Sequence, residues 1–172
     1  MKRILLTYTL AFILLPVYGG EGGSSPAEKK SLLIDYVDPF IGTTNFGTTN
    51  PGAICPNGMM SVVPFNVMGS SENKYDKDAR WWSTPYEHTN CFFTGYAHVN
   101  LSGVGCPELG SLLLMPTTGE LNVDYKEYGS KYKDEQASPG YYSNYLTKYN
   151  VKTEVSATPR TSICLLYTSP SP

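Results

Sequence analysis

The chain has 172 residues, enough for one ordinary domain and too few for two large ones. Its formal net charge is −2 and only 16% of its residues are charged, which excludes the basic footprint of a nucleic-acid binder and a polybasic membrane patch. Aromatic residues reach 13%, led by fourteen tyrosines, beside 16 glycines and 13 prolines, as in a turn-rich β domain. Strand propensity is the simpler reading of the tyrosines; flat, hydroxyl-bearing surfaces for carbohydrate are the sharper one.

Lys2 and Arg3 open the chain, Ile4 to Val17 form an apolar stretch, and small residues follow at Gly19 and Gly20. This is the layout of a secretory signal peptide over residues 1–20, and it predicts export to the periplasm or the extracellular space. The stretch falls short of the ~20 residues needed to span a bilayer, so no stable membrane span is expected. A polar linker occupies residues 21–30, and a β-sandwich domain is expected over residues 31–163.

Within that domain short strands and turns dominate. Ser31 to Tyr36 reads as a strand leading into Asp38-Pro39, and residues 42–52 as a loop rich in Gly, Thr and Asn whose backbone can approach a ligand closely. Met59 to Val67 reads as a buried strand. A polar, irregular segment from Asn66 to Thr84 ends near Trp81-Trp82. Two further strands are expected over Phe92 to Leu101 and Ser111 to Met115, separated by the turn Ser102-Gly-Val-Gly105. Gly119 opens a polar connection that reaches Ser138-Pro-Gly140.

The clearest alternation places Val151, Thr153, Val155 and Ala157 on one face, with Lys152, Glu154, Ser156 and Thr158 on the other. With Tyr141 to Leu146 before it and Thr147 to Asn150 as the turn, this is an antiparallel hairpin with one solvated face. Many short strands at regular spacing predict an all-β fold, an antiparallel β-sandwich. After Arg160 the alternation gives way to Thr161-Ser-Ile-Cys164 and a Ser/Pro ending. Leu165 to Pro172 looks like translated sequencing-adapter sequence, so residues 164–172 are read as a non-native tail.

Cys55, Cys91, Cys106 and Cys164 show no metal-ligand spacing, and they read first as small buried residues, with one disulfide as the alternative. Glycosidic hydrolysis needs two carboxyl groups flanking the scissile oxygen. Asp35, Asp38, Glu72, Asp76, Asp78, Glu87, Glu108 and Asp124 are available, but none stands in an acid/base motif, so no catalytic pair is assigned. Asp38, before Pro39, reads as a turn residue. His98, mid-strand, reads as a hydrogen-bonded structural residue rather than a base or metal ligand, and His88 has no supporting context. A Ser102, His98, Asp38 triad lacks the Gly-x-Ser-x-Gly elbow that would expose its serine. Sugar binding fits better. Trp81-Trp82 with Pro85-Tyr86 offers an aromatic platform, although packing onto the sandwich explains it as cheaply, and the 42–52 loop offers amides.

Eight landmarks in order resemble one family: Asp38-Pro-Phe-Ile-Gly-Thr43, Gly47 with Pro51-Gly-Ala53, Pro56-Asn-Gly-Met59, Gly95-Tyr-Ala-His98, Leu101-Ser-Gly-Val-Gly-Cys106, Leu112-Leu-Leu-Met-Pro116, Pro139-Gly-Tyr-Tyr142, and Glu154-Val-Ser-Ala-Thr158 with Arg160. The chain is similar to the amino-terminal domain of glycoside hydrolase family 92, the calcium-dependent exo-acting α-mannosidases. The resemblance implies a β-sandwich packed on a carboxy-terminal (α/α)6 barrel that this chain does not contain. It also implies an inverting α-mannosidase acting on mannose-containing glycans, with Ca²⁺ on the sugar's O2 and O3. The acid, base and calcium ligands belong to the barrel, so no catalytic or metal residue is inherited here and the fragment is expected to be inactive alone. By position, Gly47 matches a loop glycine near the terminal mannose, and Trp81 or Trp82 matches a tryptophan near the leaving-group sugar. The chain departs from the family at Asn57, where Phe is common, and at Ala97-His-Val-Asn100, where Ser-His-Thr-His is frequent. The alternative function is a stand-alone carbohydrate-binding sandwich without catalysis.

Overall fold

A computed structural model describes residues 32–44, 47–67, 82–100, 103–104 and 109–168. The segments expected to be a signal peptide and a linker, together with Trp81, Ser102, Cys106, Glu108 and the acidic residues of 68–81, lie outside the described residues. No helix among the described residues is long and apolar enough to cross a membrane.

The elements in chain order are β1 (Ala53–Ile54), β2 (Ser61–Phe65), β3 (Trp82–Ser83), β4 (Phe92–Phe93), β5 (Gly95–Asn100), β6 (Gly103–Val104) and β7 (Leu109–Leu114). A one-turn helix, α1 (Tyr125–Tyr128), then precedes β8 (Ser130–Ser138), β9 (Tyr141–Leu146), β10 (Val151–Ala157) and β11 (Ser162–Tyr167). One antiparallel sheet has the order β1-β2-β5-β7 and the other β11-β10-β9-β8-β4, while β3 and β6 form a separate ribbon. The two sheets face each other as a sandwich, the expected fold class. Ala53, Val62 and Tyr96 from the first sheet share one core with Phe93, Tyr142, Leu146 and Val155 from the second.

The chain changes sheets at Thr94. The single strand expected over Phe92 to Leu101 is therefore two: β4 pairs with β8, and β5 pairs with β2. The Thr94 N–H donates to the Phe65 carbonyl (2.8 Å) and ties the crossing to the end of β2.

The hairpin read from alternation is present in register, Val151 opposite Leu146 and Val155 opposite Tyr142. Val151, Thr153 and Val155 are buried while Lys152 is exposed. β11 extends this sheet beyond β10, pairing Ala157 with Ser162 and Lys152 with Tyr167. Its Ile163, Leu165, Leu166 and Tyr167 side chains are exposed at the sheet edge.

Three expectations are corrected. Residues 33–36 form a single 3-10 turn, not a strand. The Asp35 carboxylate accepts the Leu32 N–H at 2.9 Å, a local bond that competes with sheet pairing, and the apolar side chains of the turn are exposed. The polar connection expected after Gly119 contains α1, capped by Asp124 on the Lys126 N–H, and then nine residues of strand in β8. Its periodicity is broken by a register shift between Lys133 and Gln136, with Asp134 at φ 52°. The extra residue turns both Tyr132 and Glu135 inward, so strict alternation could not reveal the strand. Cys91 and Cys164 are exposed and Cys55 is half-buried, against the reading of buried cysteines; all three are free thiols.

The tyrosines follow the simpler reading to a large degree. Tyr86, Tyr96 and Tyr142 are buried, and Phe93, Tyr96 and Tyr142 pack edge-to-face with centroids 4.9 and 6.1 Å apart. Each buried hydroxyl needs a partner, and Tyr96 finds Asn144 and Thr153 inside the core.

Leu146 is 0% exposed and Leu112 is 51% exposed. Leu146→Ala should therefore lower the unfolding free energy by about 2–5 kcal/mol through the cavity it leaves, and Leu112→Ala by less than about 0.5 kcal/mol. Urea titration followed by far-UV circular dichroism measures both; equal losses would contradict the placement of the core.

Candidate functional site

At one end of the sandwich two loops are held together by a buried polar network. Asn66, which follows β2 and is 0% exposed, clamps residues 85–90. Its N–H donates to the Pro85 carbonyl (3.0 Å), its Oδ1 accepts the Glu87 N–H (2.8 Å), and its Nδ2 donates to the Glu87 carbonyl (2.9 Å) and to Tyr132 Oη (2.9 Å). Asn90 Nδ2 donates back to the Asn66 carbonyl (3.1 Å). This turn buries Tyr86 and leaves the neighbouring His88 side chain half-exposed beside it.

Glu135 lies behind Tyr86. Its Oε1 accepts the Tyr142 hydroxyl at 2.6 Å, and the Tyr86 hydroxyl lies 2.8 Å from Oε1 and 2.9 Å from Oε2. Tyr86 Oη is also 3.0 Å from His88 Nδ1, which is 3.9 Å from Glu135 Oε2. The His88 side chain is 48% exposed and that of Glu135 14%. Burial pushes the Glu135 carboxyl up from the ordinary range, against the opposing pull of the Tyr142 and Tyr86 hydroxyls and of His88. Burial likewise drives the Tyr86 and Tyr142 hydroxyls far up, so both remain protonated donors.

The second loop joins this cluster through the backbone. The His88 N–H donates to the Thr43 carbonyl (2.9 Å), and the Phe40 ring stands 5.1 Å from the imidazole at 57°. Asp38 Oδ1 accepts the Phe40 N–H (2.9 Å), the turn role expected of it. Thr49 closes the loop, its N–H on the Gly42 carbonyl (3.3 Å) and its hydroxyl on the Ile41 carbonyl (2.7 Å). Gly47 sits inside that closure, its N–H on the Thr44 carbonyl at 2.9 Å, and a Cβ there would lie 1.8 Å from the Gly42 oxygen. Only glycine fits.

Gly47 and His88 therefore belong to one loop cluster. Trp82 lies on β3, opposite Val104 in the two-stranded ribbon, and the chain runs from it directly into Tyr86. His98 Nδ1 approaches the Leu112 carbonyl (3.3 Å) beside a bulge at Val99, the structural role expected. Glu87 is taken up by its own turn, accepting the Thr89 N–H (3.1 Å) and hydroxyl (2.9 Å).

Sequence reading missed Glu135, which lies in a segment taken for a connection, and gave His88 no context. The one local signal was Tyr86-Glu-His88, whose alternation sends Tyr86 and His88 to one side. The three hydrogen-bond contacts of Glu135 to tyrosine hydroxyls occupy both its oxygens, and no second carboxylate is among its partners in the described residues. The cluster anchors His88. Among the described residues no three His, Cys, Asp or Glu side chains gather to hold a metal.

Residues 36–171 match the sequence model of the glycosyl hydrolase family 92 N-terminal domain. The solved family GH92 α-mannosidase BT3965 from Bacteroides thetaiotaomicron is similar, at 32% identity and a TM-score of 0.63 over 77% of this chain and 18% of that one. Its complex with mannoimidazole gives 32% identity and 0.64 over the same shares. The GH92 family glycosyl hydrolase ccman5 gives 26% identity and a TM-score of 0.57 over 76% of this chain and 18% of that one. This chain thus spans under a fifth of the length of these proteins. No curated protein matches it.

Two outcomes follow from the geometry. Gly47→Ala must open the 42–49 closure, at a cost of about 1–3 kcal/mol, read as a lowered urea midpoint. Because the folded carboxyl of Glu135 is raised, its contribution to stability is full below the unfolded value of ~4.3 and is lost as pH rises through the folded value. Urea midpoints between about pH 4 and about pH 7 should fall less steeply in Glu135→Gln than in the unaltered chain. An unchanged slope would remove Glu135 as the titrating group.

Proposed function

The chain belongs to glycoside hydrolase family 92 and carries its amino-terminal domain, and on that premise we propose that it is the amino-terminal part of an exported α-mannosidase. The enzyme removes terminal α-linked mannose from glycans with inversion. The family match across residues 36–171 carries this reading. Mannose as the sugar is supported by the similar α-mannosidase solved with mannoimidazole, and export by the basic, apolar and small-residue order of residues 1–20.

The catalytic acid, the base and the calcium ligands are assigned to a carboxy-terminal barrel outside this chain, which leaves the chain inactive alone. Two of its carboxylates support that division, since Glu135 is committed to tyrosine hydroxyls and Glu87 to Thr89. The role left to the sandwich is binding. The loop of Gly47 borders the terminal mannose, Trp81 or Trp82 meets the next sugar, and the exposed Leu112, Leu113 and Leu114 of β7 offer an apolar face to the barrel.

The test is to read the source DNA past codon 163, express the whole frame, and assay it on 4-nitrophenyl α-D-mannoside. Hydrolysis that is abolished by a chelator and restored by Ca²⁺, with no turnover by the 172-residue chain alone, is the expected result. Turnover by the short chain would overturn the division of labour. A stop codon directly after Pro172, together with mannoside binding, would replace the enzyme by a carbohydrate-binding module.

A further inference from the structure

We infer that His88 is a hydroxyl-recognition residue: Glu135 and Tyr86 fix its imidazole with the proton on Nδ1, leaving Nε2 as an acceptor for a carbohydrate O–H. The recognition part rests on the proposed mannose-binding role of this domain; the tautomer part rests on geometry alone.

A tyrosine hydroxyl has one proton. Tyr86 Oη is within hydrogen-bonding distance of three atoms, both Glu135 oxygens and His88 Nδ1. An ionised carboxylate only accepts, so the Tyr86 proton goes to Glu135, and the free lone pair of Oη then faces Nδ1. That contact is a bond only if Nδ1 carries the proton. Neutral histidine has a single ring N–H, so Nε2 is left as an acceptor. Tyr142 donates to Glu135 Oε1 as well and keeps the carboxylate an acceptor.

Nε2 forms no hydrogen bond among the described residues, and the ring is 48% exposed. The groups around it select the ligand class. The Glu135 carboxylate behind the imidazole disfavours anions. A metal ion would need further donors, and no such group exists among the described residues. The half-buried Phe40 ring, 5.1 Å away, supplies a flat apolar surface beside the acceptor. An apolar face with a hydroxyl acceptor at its edge suits a neutral sugar. The backbone tie from His88 to Thr43 places this acceptor on the loop that carries Gly47.

Two-bond ¹H–¹⁵N imidazole correlation spectra of the ¹⁵N-labelled 172-residue chain test this at about pH 8, where free imidazole is neutral. The chain has two histidines, and a His98→Asn variant assigns the signals. His88 should show a protonated Nδ1 and a bare Nε2. Glu135→Gln, whose amide can donate to Tyr86, and Tyr86→Phe, which removes the relay, should each reverse or mix the tautomers. If Glu135→Gln fails to fold, Tyr86→Phe carries the comparison. A wild-type His88 with its proton on Nε2 would overturn the inference.

Methyl α-D-mannoside should then move the His88 Nε2 signal and leave His98 in place, and His88→Ala should weaken its binding by about two- to tenfold. Movement of tryptophan signals with His88 unmoved would overturn the role of His88 and spare mannose binding by the domain. Movement of neither would overturn both.

Discussion

The structure depends on the largely buried carboxylate of Glu135. Glu135 receives hydroxyl protons from Tyr142 on β9 and Tyr86 in the 84–90 turn, so a strand, its neighbour and a surface turn share a single acceptor. Bringing a carboxylate indoors is unfavourable unless it is hydrogen-bonded, and here two tyrosine hydroxyls donate to it. The same tyrosines place their rings in the interior and their polar ends against that acceptor. Tyr96 repeats the arrangement with Asn144 and Thr153, so the core is aromatic without leaving its hydroxyls unpaired.

That interior polarity positions the surface. Asn66 fixes the 85–90 turn from beneath, Glu135 fixes Tyr86, and the turn in turn holds Thr43 through the His88 amide. The loop containing Gly47 is thus attached to the sandwich by a chain of hydrogen bonds that begins in the core. A binding loop on a rigid support loses less entropy when it meets a ligand than a free one. For a domain whose proposed part in mannoside hydrolysis is to line a pocket, this is the property that matters. The exposed apolar side chains on β7 and β11 are the converse feature, since neither edge strand is covered among the described residues.

Legibility in the sequence followed the range of the interactions. The β9-β10 hairpin was readable because alternation and a four-residue turn are local, and both strands and the turn lie where they were expected. The role of Asp38 was readable because an Asx turn spans two residues. The strand β8 was not, because the bulge at Asp134 shifts its phase, and only pairing with β9 shows that Tyr132 and Glu135 both face inward. Residues 33–36 misled in the opposite direction, since apolar composition proposes a strand and a single carboxylate bond to Leu32 disposes of it.

The sequence by itself determined the class of fold, the family landmarks and the loop character of residues 42–52, because turn chemistry and hydrophobic period are written in neighbouring residues. Only the tertiary structure decided that His88 has a partner and that Glu135 is its anchor. Forty-nine positions separate Tyr86 from Glu135. No local pattern encodes a bond across that distance; it exists because the sandwich brings β8 beneath the turn and leaves a buried carboxylate in need of a donor.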